Sequence, residues 1–400
     1  MTDPYAVAFT DWLACAARGA GENAAVAAQR SGDGVLGRVM ALAAAGHVLD
    51  FDDTYQPGLS HLSAATAPAA LAFGHELGAS SGAVLHAYAA GFEAMATLAR
   101  ICHPALYDGG WHPTAVCGGA GAAVVAGRLL GLDADGARTA IALALLRAGG
   151  LRAAFGSDAK ALQVAMAAAD GVRAARLAAC GAAVDAEAIA GEAAGFAEAF
   201  GVTTSAAMLD AMLEAADGGD AVDENWIKAY PCCLQTHAAI DAALVAGAAP
   251  GPAVQIAVVV HPLSRQAAAR DEVSDGLQAR FSIPYLTAYA LLHGAPDLDS
   301  LQALDPDAAA LARRIAIRTD ATLGDAEAIL EFDALRVARV TAPAGSPANP
   351  LDERALAAKV HGLAGDALDG LLDDRDGPAS ALTTAWAAAV ARGPSTRPRP

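Results

Sequence analysis

The chain has 400 residues, 55 % of them hydrophobic, with 18 % charged and a net charge of −18. That composition supports a large core and excludes disorder over most of the length. A strongly acidic chain is also a poor match for a nucleic acid or an anionic membrane surface, so neither is expected as a partner.

Positions 1 to about 225 read as successive helices. Apolar residues recur at helical spacing over 37–49, 67–78, 82–100, 115–130, 134–147 and 162–180, with Gly or Pro near many of the ends. The run 113–127 is Ala/Gly-rich, too short for a membrane span and closed by Arg128. The period then changes. Residues 254–261 form a β-branched run ended by Pro262, and 314–319 and 335–341 alternate. A helix is expected over about 282–293, and helices return over 352–364 and 379–392, with a frayed tail at 393–400. The fold class is therefore mainly α: a helical domain at 1–224, a smaller α+β lid domain at 225–377 with a short antiparallel sheet, and a final helix at 378–400 rejoining the first domain. Ligand sites favour such interfaces.

The N-terminus lacks a basic region followed by an apolar one, so no signal peptide is expected. Six Cys show neither CxxC nor zinc spacing, which fits reduced thiols in a cytoplasmic setting. The Gly118-Gly119-Ala120-Gly121 run lacks the strand and the spacing of a dinucleotide loop. It reads as a close helix contact, and no nicotinamide or flavin cofactor is expected.

Lys and Arg total 26, yet only Lys160, Lys228 and Lys359 are Lys. A compact ammonium that survives such replacement points to a task Arg cannot perform. Lys359, in the helix after the Pro-rich turn 344–350, reads as a surface residue where Arg would be silent.

Polar residues cluster in His47-Val-Leu-Asp50-Phe51-Asp52-Asp53-Thr54. His47, Asp50, Asp52 and Asp53 could serve a metal-dependent hydrolase, act in acid–base chemistry, or simply cap a turn. His61 follows in a loop. His112 precedes Pro113 at a helix start, a position that also welcomes a carboxylate ligand. Lys160 opens a helix, and Lys228 lies where the helical part meets the α+β part. Tyr285 opens the helix of the small domain and reads as a core aromatic.

Six segments, HVLDFDDT, GWHPTAVCGGAGAAVVAGRLLGLD, SDAKALQVAMAAADGVRAARLAACG, KAYPCCLQTHAAID, ARFSIPYLTAYALLHG and SPANPLDERALAAKV, occur in that order. Together, over about 35–365, they resemble the MmgE/PrpD family, which includes 2-methylcitrate dehydratase, cis-aconitate decarboxylase and iminodisuccinate epimerase. The resemblance implies a helical domain with a lid, a homodimer, no cofactor and no metal. It implies a site between the domains with Asp50, His61, His112, Lys160, Lys228 and Tyr285 as catalytic residues and Thr54, Gln163 and Cys233 contacting substrate. Gln163 stands where relatives often have His, and His61 lies in SHLSA rather than HPSA. The implied activity is a lyase on a small di- or tricarboxylate, dehydrating a 2-methylcitrate-like substrate. Decarboxylation, epimerisation or isomerisation, and inactive carboxylate binding are the alternatives on the same scaffold.

Overall fold

A computed structural model describes residues 3–191, 193–203 and 207–392. The expected frayed tail, 393–400, lies outside the described residues. The chain is mainly helical, with one four-stranded and one two-stranded sheet.

The helix Pro113–Leu130 is the axis of the larger body. It packs against the helices Leu62–Glu76, Ser81–Cys102, Ala134–Leu145 and Ala159–Ala179. Its glycines make those contacts possible. A Cβ on Gly121 would lie 2.7 Å from the Met95 Cβ, and one on Gly118 would lie 2.9 Å from the Ala65 Cβ. The GGAG run is thus a helix crossing. This helix is long and apolar enough to cross a bilayer, but 83 % of it is buried inside the protein. The tract expected to be too short therefore extends to Leu130 and serves as the core.

The smaller body holds strands β3 (Ile256–Val260), β4 (Ile315–Thr319), β5 (Ala328–Phe332) and β6 (Leu335–Val340), in the order β4-β3-β5-β6. β3–β5 and β5–β6 are antiparallel, whereas β3–β4 is parallel. The long helical connection from β3 to β4 is what permits a parallel pair in a sheet expected to be purely antiparallel. The helices His237–Ala246 and Ile283–His293 pack on this sheet and form a second core with it.

The chain rejoins the helical body earlier than position 378. The helix Glu353–Ala364 packs on the helix Pro4–Gly19, and Leu363, Leu368 and Leu372 belong to the first core. A Pro-rich turn marks that return better than the later change in composition does.

Two short strands tie the distant parts of the cleft together. β1 (Thr54–Tyr55) pairs antiparallel with β2 (Asn225–Trp226), with Thr54 opposite Trp226. This pairing places Lys228, just beyond β2, beside the loop that precedes β1.

Candidate active site

The helix Gly34–His47 ends at His47, and the chain turns sharply at Asp50, whose φ is +53°. A left-handed conformation at a non-glycine residue needs support from its surroundings. Here Lys228 Nζ donates to the Asp50 backbone carbonyl at 2.9 Å and to its Oδ1 at 2.9 Å. Lys160 Nζ, from the first turn of Ala159–Ala179, donates to the same Oδ1 at 2.9 Å. Burial would push the Asp50 carboxyl up, but the two ammonium groups hold it well below the usual carboxylate range. Burial likewise pulls Lys228 down, and Asp50 and Asp52 more than offset that, leaving its pKa raised. Asp50 is thus a fixed anion that orients two lysines, and a weak base.

Asp52 is the hub of the next layer. Its Oδ2 accepts from His47 Nδ1 at 2.8 Å and faces His61 Nδ1 at 3.2 Å. Burial opposes ionisation of Asp52, but the two imidazoles hold its pKa well below the ordinary value. Both rings stay neutral because burial lowers them, His61 to about 3. A carboxylate only accepts, so the single proton of each neutral ring sits on Nδ1. The His61 Nε2 is left without a proton, 3.6 Å from Asp50 Oδ1, the longer of the ring's two carboxylate contacts. Thr54 Oγ1 stands 3.4 Å from His61 Nδ1 and reinforces that arrangement.

His112 has the opposite polarity. It caps the helix Pro113–Leu130, and its backbone N–H donates to Gly150 O at 3.0 Å. Gln163 Oε1 accepts the Leu151 N–H at 2.9 Å, so the Gln163 amino group is the end that meets His112 Nδ1, at 2.7 Å. His112 Nδ1 therefore accepts, and the ring proton lies on Nε2. Burial again lowers this histidine well below its ordinary value, which keeps it neutral. Gly150, at φ +129°, allows the close approach, since a Cβ there would lie 2.6 Å from the Ala115 Cβ.

These groups border a narrow cleft between the two bodies, lined by Asp50, Thr54, His61, His112, Lys160 and Cys233. Phe155 and Phe281 stack at 5.6 Å, and Lys160 Nζ lies 5.7 and 5.8 Å from their centroids. Lys228 is fully buried and sits behind Asp50 rather than at the cleft surface. Burial pushes the Cys233 thiol up to about 11, so it is a neutral wall rather than a nucleophile. A larger open groove of about 1030 Å³ shares the Tyr107 wall and holds His103 and His261, but none of the converged residues.

Tyr285 is not brought to this cleft. It is fully buried in the second core, and its hydroxyl accepts the Asp305 N–H at 2.9 Å. The core-aromatic reading of its sequence context describes its position. Phe155 and Phe281 carry no signal in the sequence that points to this site, whereas Asp52 belongs to the polar cluster that already offered acid–base chemistry.

His47, Asp52 and His61 form the group whose ligand atoms could meet on a metal ion, all lying within 4.8 Å of one another. In this structure their contacts are hydrogen-bonding ones through protonated Nδ1 atoms, and two ammonium groups stand on the adjacent Asp50. Asp53 is turned away and accepts from Asn225 Nδ2 at 2.9 Å. The His47, Asp50, Asp52 and Asp53 set therefore does not form one ligand sphere.

The fold and site define a mainly helical protein with a smaller α+β body and a cleft lined by buried titratable side chains. Family models settle the class further. The MmgE/PrpD N-terminal domain matches residues 35–208 and the MmgE/PrpD C-terminal domain matches 230–376. The chain belongs to the MmgE/PrpD family, a family of dehydratase- and lyase-type enzymes. No curated protein matches it.

Proposed function

We propose that this protein is a lyase acting without a cofactor on a small di- or tricarboxylate, dehydrating a 2-methylcitrate-like substrate by removing a proton alpha to a carboxylate. The observation that carries the reading is the opposite polarity of two neutral histidines on one cleft. His61, with Nδ1 committed to Asp52, offers a bare Nε2 as general base. His112, with Nδ1 committed to Gln163, offers an Nε2–H as general acid to the departing hydroxyl. Lys160, on the cleft wall, stabilises the charge that develops on the substrate carboxylate as its α-proton leaves. Asp50 and Lys228 hold that ammonium in place, and Thr54 and Gln163 fix the two rings.

The aromatic walls exclude water and strengthen these interactions. The same set of groups also supports decarboxylation or epimerisation, which pass through a similar carbanion. A homodimer in the cytoplasm goes with this reading. Nucleic acid and membrane are not among the proposed partners, given the charge of −18.

The test is incubation in heavy water with 2-methylcitrate, citrate, cis-aconitate and aspartate-derived imines, followed by NMR. Deuterium entering the α-carbon, or loss of water from the substrate, supports the proposal. No exchange and no turnover with any of the panel would overturn it.

A further inference from the structure

We propose that Arg280 binds a second carboxylate of the substrate and makes the site selective for di- and tricarboxylates over monocarboxylates. This rests on the carboxylate reading above and adds to it a residue from the smaller body.

Arg280 lies just before the helix Ile283–His293 and is 7 % exposed. One of its nitrogens, Nη1, donates to Val48 O at 3.1 Å, while Nε has no partner. It lines a narrow recess whose other walls, Asp50, Lys160 and Phe281, also line the main cleft. The recess and the cleft thus meet the same Asp50, Lys160 and Phe281 side chains.

The charge count around the cleft identifies what is spare. Lys160 and Lys228 share the single charge of Asp50, each at ion-pair distance from its Oδ1. Asp52 meets imidazole groups through its Oδ2, at 2.8 Å from His47 and 3.2 Å from His61. Of the cations lining the cleft and the recess, Arg280 is the one with no carboxylate at ion-pair distance among the described residues. A buried guanidinium without an anion is unfavourable, and an arriving carboxylate relieves that cost. The planar guanidinium fork matches a carboxylate in a way the lysines do not. Its contact with Val48, two residues before Asp50, holds the fork in one orientation.

The experiment is NMR titration of the wild type, Arg280→Gln and Arg280→Lys with propane-1,2,3-tricarboxylate, glutarate and butyrate. Both variants keep a donor for the Val48 carbonyl, and circular dichroism checks the fold of each. The wild type should bind the tricarboxylate and glutarate more tightly than butyrate. Arg280→Gln should weaken the first two by about tenfold or more, the scale of a charge-assisted hydrogen bond, and leave butyrate unchanged. Arg280→Lys should fall between. Equal loss for all three ligands would assign Arg280 to loop support alone and overturn the proposal, as would unchanged affinities. A wild type that binds butyrate as well as the tricarboxylate overturns the selectivity and leaves the carboxylate reading standing. A wild type that binds none of them overturns both.

Discussion

Lys359 Nζ lies 2.9 Å from the Phe51 carbonyl oxygen and 4.0 Å from the centroid of the Phe51 ring. The same ammonium pairs with Asp11 at 2.7 Å, with the Lys359 side chain 5 % exposed. All three lysines of the chain therefore converge on residues 50 and 51, two on Asp50 and one on its neighbour. The expectation that Lys359 is a surface residue is overturned: the helix Glu353–Ala364 docks on the first helix and carries the side chain inward.

Lys359→Met should consequently destabilise the fold by about 3–5 kcal/mol, because it strands the buried Asp11 carboxylate. The double variant Lys359→Met with Asp11→Leu should recover much of that loss. Urea unfolding of the two single variants and the pair measures the coupling. Additive effects would mean that the two residues do not act as a buried pair.

The opposed histidine polarities make a sharper claim. Asp52→Asn can offer an N–H to one ring and so turns a ring nitrogen from donor to acceptor. It should lower kcat by roughly 10²–10⁴, with KM little changed. Gln163→Glu presents only acceptors to His112, moves its proton to Nδ1, and should remove the general acid with a comparable loss. Nitrogen-15 shifts of the imidazoles read the tautomers directly. If His61 in the wild type carries its proton on Nε2, the acid–base assignment fails whatever the rates do.

Much of this site was readable before the coordinates, and the parts that were not share a cause. Asp50, Thr54, His112 and Lys160 could be named because each sits in a segment resembling the family, and His61 although its SHLSA departs from the HPSA of relatives. The period change at 254–261 likewise announced the second body. What the linear order hides is which partner each buried group chooses. Nothing in WIKAYPCC says that Lys228 lies behind Asp50, because the β1–β2 pairing of Thr54 with Trp226 makes that contact. The apolar context of Tyr285 does mark it as a core aromatic, but nothing in SIPYLT says that its hydroxyl meets the Asp305 backbone. The parallel β3–β4 pair escaped for the same reason, since alternation marks strands and leaves their neighbours open.

Stability should respond to pH through groups that pull in opposite directions. His61, at about 3, and the lowered His47 and His112 refuse protons that the unfolded chain accepts below about 6.5. Stability therefore falls as pH drops from about 7, and the lowered Asp50 and Asp52 add to the fall below about 4. Asp53 acts the other way. Burial, with Asp52 close by, raises it to about 8. Between about 4 and 8 the folded chain holds a proton that the unfolded chain has lost, so stability declines as pH rises across that window and levels off above it. Asp53→Asn should flatten that decline. Urea midpoints from pH 5 to 9 decide the matter, and identical slopes in wild type and variant would remove Asp53 from the account.

Lys160→Arg and Lys228→Arg should separate two roles that the sequence presents alike. Lys160 reaches Asp50 from the cleft wall, flanked by the Phe155 and Phe281 rings. Its Arg variant should keep the fold and lose about a hundredfold in rate, the scale of one misplaced donor to a developing anion. Lys228 has a fully buried side chain, with Nζ fixed between the backbone and side-chain oxygens of Asp50. A guanidinium there overfills a packed space and should cost about 1–3 kcal/mol of stability as well as rate. Melting curves and turnover of the substrate found by deuterium exchange measure both quantities. If Lys160→Arg melts early while Lys228→Arg stays stable and slow, then Lys160 is the structural lysine and Lys228 the one that meets substrate.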